Sequence, residues 1–191
     1  MNHDRYDDDY IRTILRSVRS IAVVGASPNT VRPSYFLFKY MLERGYDMIP
    51  VNPGQAGKQM LGKTFVASLQ EIGRPVDMID IFRASEHVMP IVDAALALTP
   101  PPRVIWMQLG VRNDAAATKI EAAGIKVVMN RCPKIEYGRL SSEISWMGVN
   151  SRTLSSKRAP VPVHGVQRLS LDRQSVTGAG TTAADRAAQE K

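Results

Sequence analysis

The chain has 191 residues, a formal net charge of +7 and 44% hydrophobic residues, which suits one domain of ordinary size with a normal buried core and room for an appendage. Its apolar runs, such as Ile21-Ala22-Val23-Val24, are too short to span a bilayer, and its polar start lacks the apolar stretch of a signal peptide, so a cytoplasmic protein without a membrane partner is the expectation. The single cysteine, Cys132, excludes an intrachain disulfide framework and any multi-cysteine metal site.

In chain order, Ile11, Ile14, Leu15 and Val18 recur at helical spacing and predict a helix over 10–18. Residues 20–25 read as a buried strand. A helix over 33–44 follows, with Pro33 suited to its first turn and Gly45 to its stop. Residues 47–51 form a second strand, and a short helix is predicted over 67–72. A third strand (76–82) leads to a helix (86–98). A fourth strand (104–109), a helix (114–123) and a fifth strand (126–130) complete the pattern.

This alternation, with near-continuous apolar strands, implies a mainly parallel five-stranded sheet covered on both faces. Right-handed crossovers then make it a Rossmann-like, doubly wound α/β domain. Its ligand belongs beyond the C-terminal strand ends, at the switch point beside the first strand. The domain is expected to occupy 1–149. Residues 150–191 carry seven Lys or Arg against three acids, so much of the positive charge belongs to this part. It is rich in Ser, Thr, Ala, Gly and Pro, has no sustained apolar period, and is expected to be a disordered basic tail. The high charge is therefore poor grounds for a nucleic-acid partner.

The first strand ends in Val24-Gly25-Ala26-Ser27-Pro28-Asn29-Thr30-Val31-Arg32-Pro33-Ser34. A phosphate-binding turn belongs here, because the next helix offers unpaired N–H groups and a partly positive end. Gly25 allows the tight turn. Ser27, Asn29, Thr30 and Ser34 add polar side chains, and Arg32 adds charge; the plain alternative is a strand-to-helix loop. The turn is neither G-x-G-x-x-G nor a P-loop. The second strand ends in Val51-Asn52-Pro53-Gly54, where an NAD site would carry an acid for the ribose hydroxyls. Lys58 and Lys63 follow instead. That suits a ribose bearing a phosphate, as in NADP and equally in coenzyme A.

Val24-Gly25-Ala26-Ser27 with Arg32-Pro33-Ser34, then Pro50-Val51-Asn52-Pro53, Asp80-Ile81-Phe82-Arg83, Trp106-Met107-Gln108-Leu109-Gly110-Val111 and Asn130-Arg131-Cys132-Pro133-Lys134-Ile135-Glu136, resemble the small bacterial CoA-binding proteins. These are stand-alone relatives of the N-terminal domain of the succinyl-CoA synthetase α subunit. The resemblance covers about residues 10–142. It implies that Gly25, Ala26 and the turn from Ser27 to Ser34 hold the pyrophosphate or the pantetheine arm. It also implies that Val51, Asn52 and Pro53 flank adenine and ribose, and that Phe82 and Arg83 border the same ligand. One departure stands out: the ligase subunit has a Lys at the position of Gln55, and Lys58 is the nearest substitute.

Gln108 and Gly110, at the end of the fourth strand, are further candidates to face the ligand. Trp106 and Met107 suit the core equally well. Cys132 reads as a small buried hydrophobe, His87 as a solvent-facing residue at a helix start, and Glu136 as a partner of Arg131 or Lys134. None of the three histidines lies in a phosphohistidine loop, and no spacing supports a catalytic triad or a carboxylate pair. The expected function is binding of CoA or acyl-CoA without catalysis, as a carrier, sensor or regulator. The alternatives are an NADP-dependent oxidoreductase and a subunit that supplies the CoA site to a separate acyl-CoA ligase. A protein partner or a homo-oligomer remains open.

Overall fold

The computed structural model describes residues 1–141. The expected domain end at 149 and the basic tail lie outside the described residues. Helix α1 (Asp8–Ser17) is followed by β1 (Ser20–Val24), α2 (Pro33–Glu43) and β2 (Asp47–Val51). A small hairpin, β3 (Gln59–Met60) and β4 (Lys63–Thr64), precedes β5 (Met78–Ile81), α3 (Val88–Leu96) and β6 (Val104–Met107). Then come α4 (Asp114–Ala122), β7 (Lys126–Val128) and α5 (Pro133–Leu140).

Five strands form one parallel sheet in the order β2-β1-β5-β6-β7. This is a Rossmann-like, doubly wound arrangement whose switch point falls between β1 and β5. Side chains alternate across the sheet. Ile21, Val23, Met78 and Trp106 meet Ile14 and Leu15 of α1, Phe38 and Met41 of α2, and Tyr137 of α5. Ala22, Ile79, Ile81, Ile105 and Met107 meet Val88 and Val92 of α3 and Ala116 and Ile120 of α4. Both faces are thus dry, which explains the continuous apolar runs. Trp106 is completely buried, and its indole N–H donates to the Arg131 carbonyl at 2.7 Å, so the ring adds apolar area without an orphaned donor.

The N-terminal segment covers the exposed edge of β7. The Tyr6 hydroxyl accepts from the Met129 N–H at 2.8 Å, and the Tyr10 hydroxyl donates to the Val127 carbonyl at 3.3 Å. A protected edge is a poor template for unwanted pairing.

The structure differs from expectation in three places. The helix predicted over 67–72 shrinks to one 3-10 turn, Gln70–Ile72, which ends at Gly73 with φ 67°. The Glu71 carboxylate accepts from the Ala67 N–H at 2.9 Å, so a side chain takes the place of a helical turn. The β3–β4 hairpin was not foreseen because each strand has two residues, with Leu61 and Gly62 both at positive φ in the turn. Helix α5 was also missed. Its start carries Pro33's counterpart signal, Pro133 at the first turn, but its apolar stripe is short and interrupted by Gly138. Among the described residues, no helix is long and apolar enough to cross a membrane.

Candidate functional site

The register of the sheet assembles the site. Val24, the last residue of β1, lies opposite Val51 of β2 and Ile81 of β5. The three loops that follow therefore leave the sheet at one level. They border a cleft of about 260 Å³ lined by Val24, Gly25, Asn52, Pro53, Arg83, His87, Pro90 and Ile91. The cleft opens at the C-terminal strand ends beside the switch point, where doubly wound sheets place their ligands.

Backbone and side-chain bonds lock the loops together. The Gly25 N–H donates to the Val51 carbonyl at 2.9 Å, and the Phe82 N–H to the Val24 carbonyl at 2.8 Å. Gly25 has φ 87°, and a Cβ there would sit 2.5 Å from the Phe82 carbonyl oxygen and 2.9 Å from Arg83 Cδ. Glycine is required both by the left-handed backbone and by this close approach. Asn52 is a structural clamp: its amide N–H donates to the Ala26 carbonyl at 2.8 Å, and its side-chain oxygen accepts from the Gly54 N–H at 3.0 Å.

The turn ahead of α2 is held by its own polar groups. Ser27 Oγ accepts from the Asn29 N–H at 3.3 Å, and Asn29 Oδ1 from the Val31 N–H at 3.1 Å. Arg32 occupies the N-cap of α2 without a side-chain cap bond, and Pro33 follows. No side chain caps the first turn, so its N–H groups remain suited to an anion. Ala26 and Ser34 are buried, whereas Asn29, Thr30, Arg32 and Pro33 are exposed.

The cleft lining carries one fixed charge, the cation of Arg83. Arg83 and His87 are both exposed, none of the eight lining residues is acidic, and β2 ends without a carboxylate. Lys58 reaches back to Gln55, donating to its side-chain oxygen at 3.1 Å. The lysine thus sits against the position at which the ligase subunit carries its own.

The remaining expected residues separate. Val51 is buried and supports the cleft through its carbonyl. Phe82 packs against the core from the edge. Gly110 bonds the loops after β6 and β7 together, its N–H donating to Asn130 Oδ1 at 2.8 Å. Gln108 is buried and donates to both carboxylate oxygens of Asp80, at 2.8 and 2.9 Å. Asp80 is completely buried, and burial pushes its carboxyl up to about 8, with the Gln108 bond pulling the other way. Neither Gln108 nor Gly110 lines the cleft. Burial likewise pushes the Cys132 thiol up, as suits a packed thiol rather than a nucleophile. Glu136 bonds chiefly to Arg139, at 2.7 Å, with Arg131 at 3.9 Å.

The α3 wall was missed by sequence reasoning. His87, Pro90 and Ile91 are separated by three and four residues, the spacing of one helical face. That signal was present, but a lone histidine at a helix start carries no motif.

The model of the CoA binding domain family matches residues 19–138. The uncharacterized protein YneT of Bacillus subtilis (strain 168) is 36% identical over 127 residues, covering 66% of this chain and 91% of its own. Among solved structures, a Thermus thermophilus protein, cell-free ID.343, is 36% identical with a TM-score of 0.67, covering 71% of this chain and 99% of its own. A hypothetical protein from Pyrococcus horikoshii OT3 is 35% identical with a TM-score of 0.66, covering 73% of this chain and 96% of its own.

Proposed function

The chain belongs to the CoA-binding domain family, and from that premise we propose that it is a cytoplasmic binding module for CoA or acyl-CoA, acting as a carrier, sensor or regulator without chemistry of its own. One observation carries the reading: three strand-end loops meet at the switch point around a cleft that presents Arg83 and no carboxylate. A CoA ligand brings a pyrophosphate and a phosphorylated ribose to such a place. The positive cleft balances that charge, and the absent acid removes the usual partner of an unphosphorylated ribose.

In this reading the turn Gly25, Ala26, Ser27, Asn29, Thr30, Arg32, Pro33 and Ser34 receives the pyrophosphate at the start of α2. Val51, Asn52 and Pro53 flank adenine and ribose, with Lys58 near the phosphates. Arg83 bonds a phosphate over the β1 turn, and Gln108 and Gly110 stiffen the edge from the β6 side. The folded unit is residues 1–149, and the basic tail is dispensable for binding.

Isothermal calorimetry tests the reading. CoA should bind more tightly than NAD or NADP, and native mass spectrometry of the purified protein should find CoA retained. Equal or tighter binding of a nicotinamide cofactor would overturn it in favour of the oxidoreductase.

A further inference from the structure

The cleft is too small for a whole CoA molecule. At about 260 Å³ it falls below the roughly 300–1,000 Å³ of pockets that enclose a drug-sized ligand. Its composition is also divided. Val24, Pro53, Pro90 and Ile91 give rigid apolar walls, while Arg83 and His87 stand exposed at the same cleft. Apolar walls with a guanidinium and an imidazole beside them suit a heteroaromatic base carrying phosphate. They offer nothing that would distinguish one acyl group from another.

Arg83 and the His87 imidazole stand at different places. Arg83 is seated over the β1 turn, since a Cβ on Gly25 would lie 2.9 Å from its Cδ. That is the pyrophosphate side. His87 immediately precedes α3, and Pro90 and Ile91 follow it by three and four residues, so all three border the cleft from the start of α3. No carboxylate pairs with either side chain among the described residues, whereas the exposed Arg112 is tied to Asp4 and Asp114.

We propose that this cleft recognises the phosphorylated adenosine half of CoA by itself, with His87 contacting the ribose phosphate, so that adenosine 3′,5′-bisphosphate is a second ligand and the acyl group goes unread. The inference rests on the CoA-binding reading but goes beyond it. It makes the protein respond to phosphoadenosine nucleotides as a class, and to CoA and its thioesters alike.

Calorimetry on the full chain, with CoA, acetyl-CoA, dephospho-CoA, adenosine 3′,5′-bisphosphate and pantetheine as the titrants, tests it. The bisphosphate should bind within about tenfold of CoA, acetyl-CoA should match CoA, and pantetheine should not bind. His87→Ala should weaken CoA and the bisphosphate alike by about tenfold, the value of one hydrogen bond to a charged group. Dephospho-CoA should be much less affected by that substitution. His87 is exposed, so the variant should keep its fold, which circular dichroism checks. Binding of CoA without the bisphosphate, a strong preference between CoA and acetyl-CoA, or unchanged affinities in His87→Ala would overturn this inference and leave the CoA reading standing. Binding of none of the nucleotides would overturn both.

Discussion

Replacing Asp80 with Asn should alter how stability depends on pH. The carboxyl is completely buried in the middle of the sheet, faces the Gln108 amide, and is pushed up to about 8 by its burial. In an unfolded chain the same group titrates near 3.9. Between about pH 4 and pH 8 the folded state therefore holds a proton that the unfolded state has released. Stability contributed by the neutral carboxyl is complete below about pH 4. It falls as pH rises, with the slope of one proton, about 1.4 kcal/mol per pH unit. Above about pH 8 the folded group is ionised as well, and the slope disappears. Asp80→Asn keeps the shape and an acceptor for Gln108 but cannot ionise. Its stability relative to the parent should rise steadily from about pH 5 to about pH 8. Urea denaturation at several pH values, with the m-value checked for constancy, measures the difference. Parallel pH profiles for parent and variant would show that the carboxyl is ionised in the fold, and would refute the reasoning.

Three further outcomes follow from the loops. Gly25→Ala forces a side chain into φ 87° and against the Phe82 carbonyl; it should cost at least about 2 kcal/mol in urea denaturation and weaken CoA binding severalfold by calorimetry. Arg83→Ala should weaken CoA binding by about 1.5–3 kcal/mol, equally for dephospho-CoA if the guanidinium holds the pyrophosphate. Arg103→Ala is the control: Arg103 bonds Asp77 and the Ser17 carbonyl at the opposite end of the sheet, so calorimetry should find CoA affinity unchanged. A chain ending at Val149 should bind CoA as the full chain does, whereas lost binding would make the tail part of the site.

The sheet was legible in the sequence because its information is local. Strands such as Ile21-Ala22-Val23 and Val104-Ile105-Trp106-Met107 are apolar on both faces, and the glycines and prolines that separate the strands mark the turns. The candidate site was legible in part, for the same reason: Gly25, Asn52 and Arg83 follow strand ends, and strand ends are easy to find. The failures were non-local. Nothing in the neighbourhood of Gln108 announces that its amide turns inward to a carboxylate 28 residues earlier. The two-residue strands of the β3–β4 hairpin owe their pairing to buried Met60 and Phe65, which act through the core rather than through local periodicity. His87 became a cleft residue only when the start of α3 was set beside the ends of β1 and β2.

The same separation bears on the β1 turn, which lacks a glycine-rich fingerprint. A glycine-rich fingerprint lets the backbone approach a pyrophosphate closely along several residues. Here the turn has one glycine, Gly25, and its space is taken by the Phe82 carbonyl and the Arg83 stem. The β1 turn is thus packed against the β5 loop, and the cation on that loop comes with it. In the proposed CoA site, close backbone approach is exchanged for a side-chain cation carried on the loop after β5. Asn52 completes the arrangement by tying the β2 loop to Ala26. Changes in any one of the three loops should then be felt at the other two, so Asn52→Ala, although it removes no charge, should weaken CoA binding as well as stability. Loss of stability with CoA affinity unchanged would show that the β2 loop is a passive neighbour of the site.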